Sequence, residues 1–295
     1  MIASRRRFMA IAAGSFAGAA LPRLSFANAR TWRGRAFGTD VHVVLPAIDQ
    51  DYYRVVRSIE RELLQIEKEF SLFADSALFR LNETGILRNP GERILDLLTL
   101  SGKLHQATGG AFDPTVQAIW LAHAGNGDVA AARTRSGWQR VEYSASQIRL
   151  APGSSLTFNG IAQGHAADRI SLILKQAGFS DVLVNMGEIS ALGAPHDRTG
   201  WPVRIADAAG RIVGQSELSD RSLATSSPDG MVIGPQRRSH ILHPDGREPI
   251  WNTVSVSASS AALADGLSTA FCLLERGEIN TALARFQDAR LELCI

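Results

Sequence analysis

Two hydrophobic periodicities succeed one another along this chain in no regular order, and that irregularity limits its fold more than any single motif. In "WRGRAFGTDVHVVL" the alternation places Val41, Val43 and Leu45 on one side of a strand. Val55, Ile59, Leu63, Ile66 and Phe70 then step by four, four, three and four, which predicts a long amphipathic helix. A second helix follows Pro90-Gly91, carries Ile94, Leu97, Leu98 and Leu104, and stops at Gly109-Gly110. Between them "SLFADSALFRLNETG" reads as a loop with one helical turn. "AFDPTVQAIWLAHAG" reads as a turn and a short helix from near Pro114, followed by a helical connector over residues 125–137. "VEYSASQIRL" predicts a hairpin and "SSLTFNGIA" a further strand. "GHAADRISLILKQAG" is a helix with Ala167, Ile170, Leu174 and Ala177 on one stripe, and "VLVNMGEISALG" holds two short strands broken at Gly187. Strands around Val203, Ile212 and Leu223, then "TVSVSA", lead into the helix "ALADGLSTAF" and a last strand at "ARLELCI". No strict βαβ rhythm, repeat or low-complexity linker interrupts this order. The expectation is therefore an α+β fold, with mixed or antiparallel sheets packed with helices, forming a single domain over residues 30–295.

Residues 1–29 stand apart. Ser4-Arg5-Arg6-Arg7-Phe8-Met9 precedes a short Ala- and Gly-rich apolar run that closes on Ala27-Asn28-Ala29. This pattern predicts a twin-arginine signal peptide, hence a protein exported folded to the periplasm. No cysteine follows it, so a lipoprotein anchor is not expected. Of 31 basic and 29 acidic residues, four arginines and no acid fall in this segment, leaving the remainder near −2. That balance gives no reason to expect a nucleic-acid partner. Cys272 and Cys294 make no disulfide framework, although the two could pair in an oxidising compartment; Cys272 reads as a small buried hydrophobe. Without a Cys/His cluster, zinc and iron–sulfur sites are not expected.

The chemistry-bearing residues sit in five short stretches. In "ALADGLSTAF", Asp265 and Thr269 are four apart on one face of an otherwise apolar helix, where they could offer two oxygen ligands to a hard cation such as Mg²⁺. The alternative is that Asp265 caps a helix starting at Gly266 and Thr269 bonds back to its own turn. In "TFNGIAQGHAADRI", Gly160 and Gly164 flank a turn feeding a helix, a place suited to an anion or to close ligand approach, though such turns are also purely structural. "TGGAFDPTVQ" offers Asp113 as a ligand contact or as an Asx cap. "RSHILHPDGREPI" gathers His240, His243 and Asp245 around a Pro/Gly turn, with His240 a possible general base. "LVNMGEISALG" adds Asn185 and Glu188 at a strand break.

From Gly34 onward the chain resembles the ApbE family of FAD:protein FMN transferases. Six blocks carry the resemblance in family order: "FGTDVHV", "GGAFDPTV", "GIAQGHAADRI", "LVNMGEISALG", "SHILHP" and "ADGLSTAF". The resemblance implies an ApbE-like, T-fold-like architecture and a metal-dependent reaction. In it, FMN passes from FAD to a Thr or Ser hydroxyl of an exported or membrane acceptor protein and AMP is released. It implies metal ligation by Asp265, Thr269 and the backbone carbonyl of Gly160. It also implies FAD contacts around Phe37, Ala111, Phe112, Asp113, Gln163, Asn185, His240 and Ile241. His240 is the first candidate for the catalytic base and Asp113 the second. The chain departs from the family pattern in four places. Gln163 stands where a charged residue, often Lys, is common; Phe37 replaces Met; His243 replaces an acid; and the doubled glycine is reduced to Met186-Gly187. "GIAQG" with "NMGEI" is also similar to an exported subgroup associated with nitrous-oxide respiration, whose acceptor is a membrane flavoprotein. Two other functions fit the same residues: an FAD pyrophosphatase releasing FMN and AMP, and a non-catalytic flavin-delivery protein.

Overall fold

The computed structural model describes residues 29–46, 52–73, 75–196 and 198–295. The twin-arginine reading lies outside these residues except at Ala29, which already pairs with Pro46. In chain order the strands are β1 (Ala29–Ala36), β2 (Thr39–Pro46), β3 (Ile86–Arg88), β4 (Val141–Tyr143), β5 (Gln147–Leu150), β6 (Val182–Asn185) and β7 (Ile189–Leu192). They continue with β8 (Trp201–Ala206), β9 (Ile212–Leu218), β10 (Arg221–Ser226), β11 (Val232–Ile233), β12 (Arg238–Ser239), β13 (Val254–Ala258) and β14 (Arg290–Cys294). The α-helices are α1 (Tyr52–Phe70), α2 (Ala77–Thr84), α3 (Glu92–Ala107), α4 (Gln117–Gly125), α5 (Val129–Arg135), α6 (Ala162–Gln176), α7 (Ala261–Phe271) and α8 (Arg276–Leu283).

Seven strands form the central sheet in the order β1-β2-β6-β7-β10-β13-β14, every neighbouring pair antiparallel. Its two faces bury different residues of the same strands, as a two-residue period requires. On β6, Val182 and Val184 join the main core with α1, α3, α6 and α7, while Leu183 joins a second core. That second core is closed by Trp201, Val203, Ile205 and Leu218 of the β8–β9 hairpin. The molecule is thus layered as helices, sheet and hairpin, the α+β arrangement with antiparallel pairing that the sequence predicts.

The helical stripe Val55, Ile59, Leu63, Ile66 and Phe70 is buried along the whole of α1. Two local expectations fail. The loop around Leu78 is a helix, α2, capped by the Ser76 hydroxyl and ended by Gly85 at φ 72°. "SSLTFNGIA" is not a strand. Its Leu156 and Phe158 are buried, but the Leu156 amide and carbonyl bond to the Asn82 side chain at 2.7 and 2.8 Å. A carboxamide there does the work of a neighbouring strand.

α7 is buried on nearly all sides, as its apolar surroundings in sequence suggest. It lies against α6, β10 and β13. Within it Gly266 faces α3: a Cβ there would stand 2.3 Å from Leu104 Cδ1 and 3.0 Å from Ile161 Cγ2.

Candidate functional site

Strand register sets the stage. His42 of β2 pairs with Asn185, Leu223 of β10 with Ile189, and Ser226 with Val254. The β1–β2 turn at Phe37-Gly38, the β6–β7 turn at residues 186–188, and the end of β10 at Ser226 therefore share one end of the sheet. α7 runs antiparallel to β13 and brings Thr269 to the same end. There the Ser226 hydroxyl lies 3.3 Å from Thr269 Oγ1 and 2.8 Å from Ser268 Oγ.

Gly160 completes this corner. A Cβ on it would stand 3.2 Å from both Cγ2 and Oγ1 of Thr269 and 3.4 Å from Phe112, so the turn lies directly against the Thr269 hydroxyl. One turn back along α7, Asp265 is 5% exposed, and its Oδ2 accepts the Gly164 N–H of α6 at 3.2 Å. Ser260, not Asp265, caps α7, so the reading of Asp265 as the cap of its own helix is excluded. Thr269 turns to Ser226 across the corner.

The anion reading of the α6 N-terminus is corrected as well. Ala162 donates to the Phe158 carbonyl and Gly164 to Asp265, so two of the helix's early donors are met from within the chain. Gly164 is needed for helix contact rather than ligand approach: a Cβ there would lie 2.4 Å from the Ala261 carbonyl oxygen.

Electrostatically the corner is unusual. Burial pushes the Asp265 carboxyl up to about 7; the Gly164 hydrogen bond opposes this rise and the charge of Asp168 adds to it. Glu188, 6% exposed and bonded to the Thr225 N–H at 3.2 Å, is driven well above the usual carboxylate range by burial and by the Asp265 charge. Two carboxyl groups with so little solvent lack a compensating positive charge among the described residues around them. The donor set is all oxygen, and no cluster of three His, Cys, Asp or Glu side chains suited to a metal occurs among the described residues. A buried carboxylate and a hydroxyl one helical turn apart, beside the Gly160 turn, suit a hard cation that takes further oxygen ligands, such as Mg²⁺.

The remaining predicted residues are held in distinct ways. Gln163 Nε2 donates to the Met186 carbonyl at 3.3 Å, joining the α6 turn to the β6–β7 turn. Gly187, at φ 100°, leaves room for that side chain: a Cβ would sit 2.6 Å from Nε2. Asn185 Oδ1 accepts the Gly187 N–H at 3.0 Å. Phe37 sits at φ 52° in the β1–β2 turn, its N–H held by Glu67 at 3.1 Å. Ala111 and Phe112 are buried in the main core, the Phe112 amide tied to Thr108 Oγ1 and its carbonyl accepting from His105 Nδ1.

Asp113 is engaged locally. Its Oδ1 accepts from the Thr115 amide and hydroxyl, and its Oδ2 from the Trp138 amide at 3.1 Å. These bonds make it an Asx cap of the 3₁₀ turn Pro114–Val116 and fix the loop carrying Phe112. His240 is held through one ring nitrogen. Its Nδ1 donates to the Met231 carbonyl at 3.0 Å, which puts the lone pair of the neutral ring on Nε2. Burial lowers its pKa, with the Met231 and Pro228 carbonyls opposing, so the ring is neutral near pH 7. Ile241 is buried beside it, 6% exposed. His243 Nδ1 accepts the Asp245 N–H at 3.1 Å, holding the Pro/Gly turn.

Sequence reasoning missed Ser226, the hydroxyl that joins β10 to α7, and Asp168, which caps α7 from α6. The polar run "SS" closing a buried strand was the available signal for the first. Cys272 is buried and Cys294 partly so, both as free thiols, and burial raises both. A cleft of about 1130 Å³ lies beside α2 and β3, lined among others by Phe73, Asn82, Gln117, Leu121 and Ser155. No helix among the described residues is long and apolar enough to cross a membrane.

Known proteins share this architecture. The flavin transferase ApbE from Vibrio cholerae superposes with a TM-score of 0.74 at 25% identity, covering 87% of this chain and 91% of that one. The ApbE protein of Thermotoga maritima superposes at 0.78 and 21% identity, over 89% and 93% of the two chains. In sequence, the FAD:protein FMN transferase of Klebsiella pneumoniae strain 342 is 25% identical over 285 residues, 87% of this chain and 81% of its own. That of Escherichia coli K12 is 24% identical over 273 residues, 82% and 77%. The family model described as the ApbE family matches residues 37–294, and the chain belongs to that family.

Proposed function

We propose that this protein is an FAD:protein FMN transferase that moves FMN onto a Thr or Ser hydroxyl of an acceptor protein and releases AMP. The observation that carries the reading is the corner where two residues of one helix meet the turn before α6, Thr269 against Gly160 and Asp265 bonded to the Gly164 amide. These groups would hold a divalent cation through the Asp265 carboxylate, the Thr269 hydroxyl and the Gly160 carbonyl. When bound, such a cation neutralises the charge of the pyrophosphate as its bridging bond breaks.

The chain's own groups account for the rest. The acceptor hydroxyl oxygen attacks the FMN phosphorus, the phosphoanhydride bond breaks, and AMP departs with the bridging oxygen. The hydroxyl proton passes to Nε2 of His240, a ring kept neutral by burial and aligned through Nδ1 to Met231. Phe112 and Phe37 would supply apolar surface to the flavin, and Gln163 and Asn185 hydrogen bonds to its polar edge. Asp113 supports Phe112 by fixing its loop. Catalysis in this arrangement is positioning and electrostatics rather than covalent chemistry. The acceptor is an exported or membrane protein, and the enzyme reaches it as a twin-arginine substrate of the periplasm.

The test is direct. Full-length protein, FAD, Mg²⁺ and a Thr-bearing acceptor should give one covalently bound FMN per acceptor and an equal quantity of AMP. AMP formed at the same rate without acceptor would identify a pyrophosphatase. FAD bound but left intact would identify a delivery protein.

A further inference from the structure

We propose that Asp168 is a positioning residue for the cation site: by capping α7 from within α6, it fixes the height at which Asp265 and Thr269 meet the Gly160–Gly164 turn. This rests on the reading that the corner binds a divalent cation.

The N-terminus of a helix leaves its first amide donors unpaired. In α7 the Ser260 hydroxyl meets only one of them, Leu263 N–H, at 3.2 Å. Asp168 takes two more: its Oδ1 accepts from Ala261 N–H at 2.7 Å, and its Oδ2 from Ala262 N–H at 3.0 Å and from the Ser260 hydroxyl at 2.7 Å. The carboxylate comes from a residue 92–94 positions earlier in the chain.

Asp168 lies one turn after Gly164 on α6, on the same face. Gly164 touches the backbone of Ala261 and Ala262, and its own N–H holds Asp265. Three contacts on one face of α6 thus grip α7 at residues 260–262 and again at 265. Sliding α7 by one residue would move it about 1.5 Å and turn it about 100°, taking Asp265 and Thr269 off the turn. Asp168 is the part of this grip that resists such a slip, because its three bonds read the helix end itself.

The experiment measures cation affinity rather than turnover. Mg²⁺ is titrated calorimetrically into the FAD-saturated full chain for wild type, Asp168→Asn, Ser260→Ala, Asp265→Ala and Leu218→Ala. Asp168→Asn keeps the shape but sets an amide against the Ala262 N–H, and should weaken Mg²⁺ binding about 10- to 100-fold, the usual cost of losing a group that orients a ligand. Leu218→Ala, in the second core on the other face of the sheet, should lower Tm at least as much while leaving Mg²⁺ affinity within about threefold, as expected for a site that shares no contact with the corner. Wild-type affinity in folded Asp168→Asn, or an equal loss in Leu218→Ala, overturns the proposal. Should Asp168→Asn not fold, Ser260→Ala decides: a several-fold loss supports it and an unchanged affinity overturns it. Equal binding by wild type and Asp265→Ala would instead refute the cation reading itself.

Discussion

The amide of Gly164 and the carboxylate of Asp265, 101 residues apart in sequence, meet at 3.2 Å between two buried helices. The bond places an acidic group at the N-terminal turn of α6, where the helix dipole favours negative charge. It does not cancel the burial, and the carboxyl remains raised to about 7. The folded pKa lies above the unfolded one, so without a cation stability declines as pH rises from near 4 through 7. Asp265→Asn should therefore raise Tm at pH 8 in the absence of divalent ions, by about 2–6 °C for a chain of this size. It should also abolish the stabilisation that Mg²⁺ gives to FAD-loaded wild type. Differential scanning calorimetry with chelator and with Mg²⁺ checks both, and a lower chelator Tm at pH 8 would contradict the first.

The close approach of α6 to α7 yields a graded prediction. A Cβ at Gly164 meets backbone, the Ala261 carbonyl, which cannot move without shifting the helix. A Cβ at Gly266 meets the end of the Leu104 side chain, which can rotate at the cost of repacking. Gly164→Ala should cost about 3 kcal/mol or more and Gly266→Ala about 1–3 kcal/mol, measured by urea unfolding. The reverse order would show that the helices part more readily than the Leu104 side chain turns.

For His240, the neutral ring with its lone pair on Nε2 predicts a selective loss. His240→Asn should lower the rate of transfer by about 10²–10⁴, the usual range for a general base. FAD affinity, read by flavin fluorescence, should stay within a few-fold of wild type. A matching loss in both would make His240 a binding group.

His165 is buried against Phe70, their rings 5.6 Å apart, and burial, with Arg169 and Arg93 adding, lowers its pKa to about 4; Glu62 opposes. The folded value lies below the ordinary 6.5, so its stabilising contribution is complete above that pH and is lost as pH falls toward 4. The full span is on the order of 3 kcal/mol, at 1.36 per unit. His165→Leu should leave stability at pH 7.5 little changed and flatten the acid limb between pH 6.5 and 4. An acid limb as steep as wild type would show that other groups set it.

How far the sequence was legible depended on whether the deciding partner was near or far. α1 was legible because five apolar residues repeat with helical spacing and its burial is set by that stripe. The Asp265–Thr269 face was legible for the same reason, one turn separating two oxygen-bearing side chains in an apolar helix. The cap of α7 was not, because its acceptor Asp168 lies on another helix and reads in sequence as an ordinary surface acid. α2 was missed although Ser76 and Gly85 are good boundary residues. Only Leu78 and Leu81 are buried between them, too few to show a period.

The supposed strand after Pro152 fails in the most informative way. Leu156 and Phe158 alternate as a strand should, yet a side chain pairs with the backbone where a neighbouring strand was expected. Asn82 supplies both an acceptor, 2.7 Å from the Leu156 amide, and a donor, 2.8 Å from its carbonyl. Removing both in Asn82→Ala should cost about 1–3 kcal/mol, since buried backbone groups lose their partners. Asn82→Asp separates the two bonds: its carboxylate can accept from the amide but faces the carbonyl without a proton. That variant should be as unstable as Asn82→Ala at pH 8 and recover as the carboxyl protonates and donates. Urea unfolding of both variants at pH 8 and pH 5 checks this. Equal stability of Asn82→Asp at the two pH values would mean that the carbonyl of Leu156 finds another partner, and that the segment leading to Gly160 is held by its buried side chains alone.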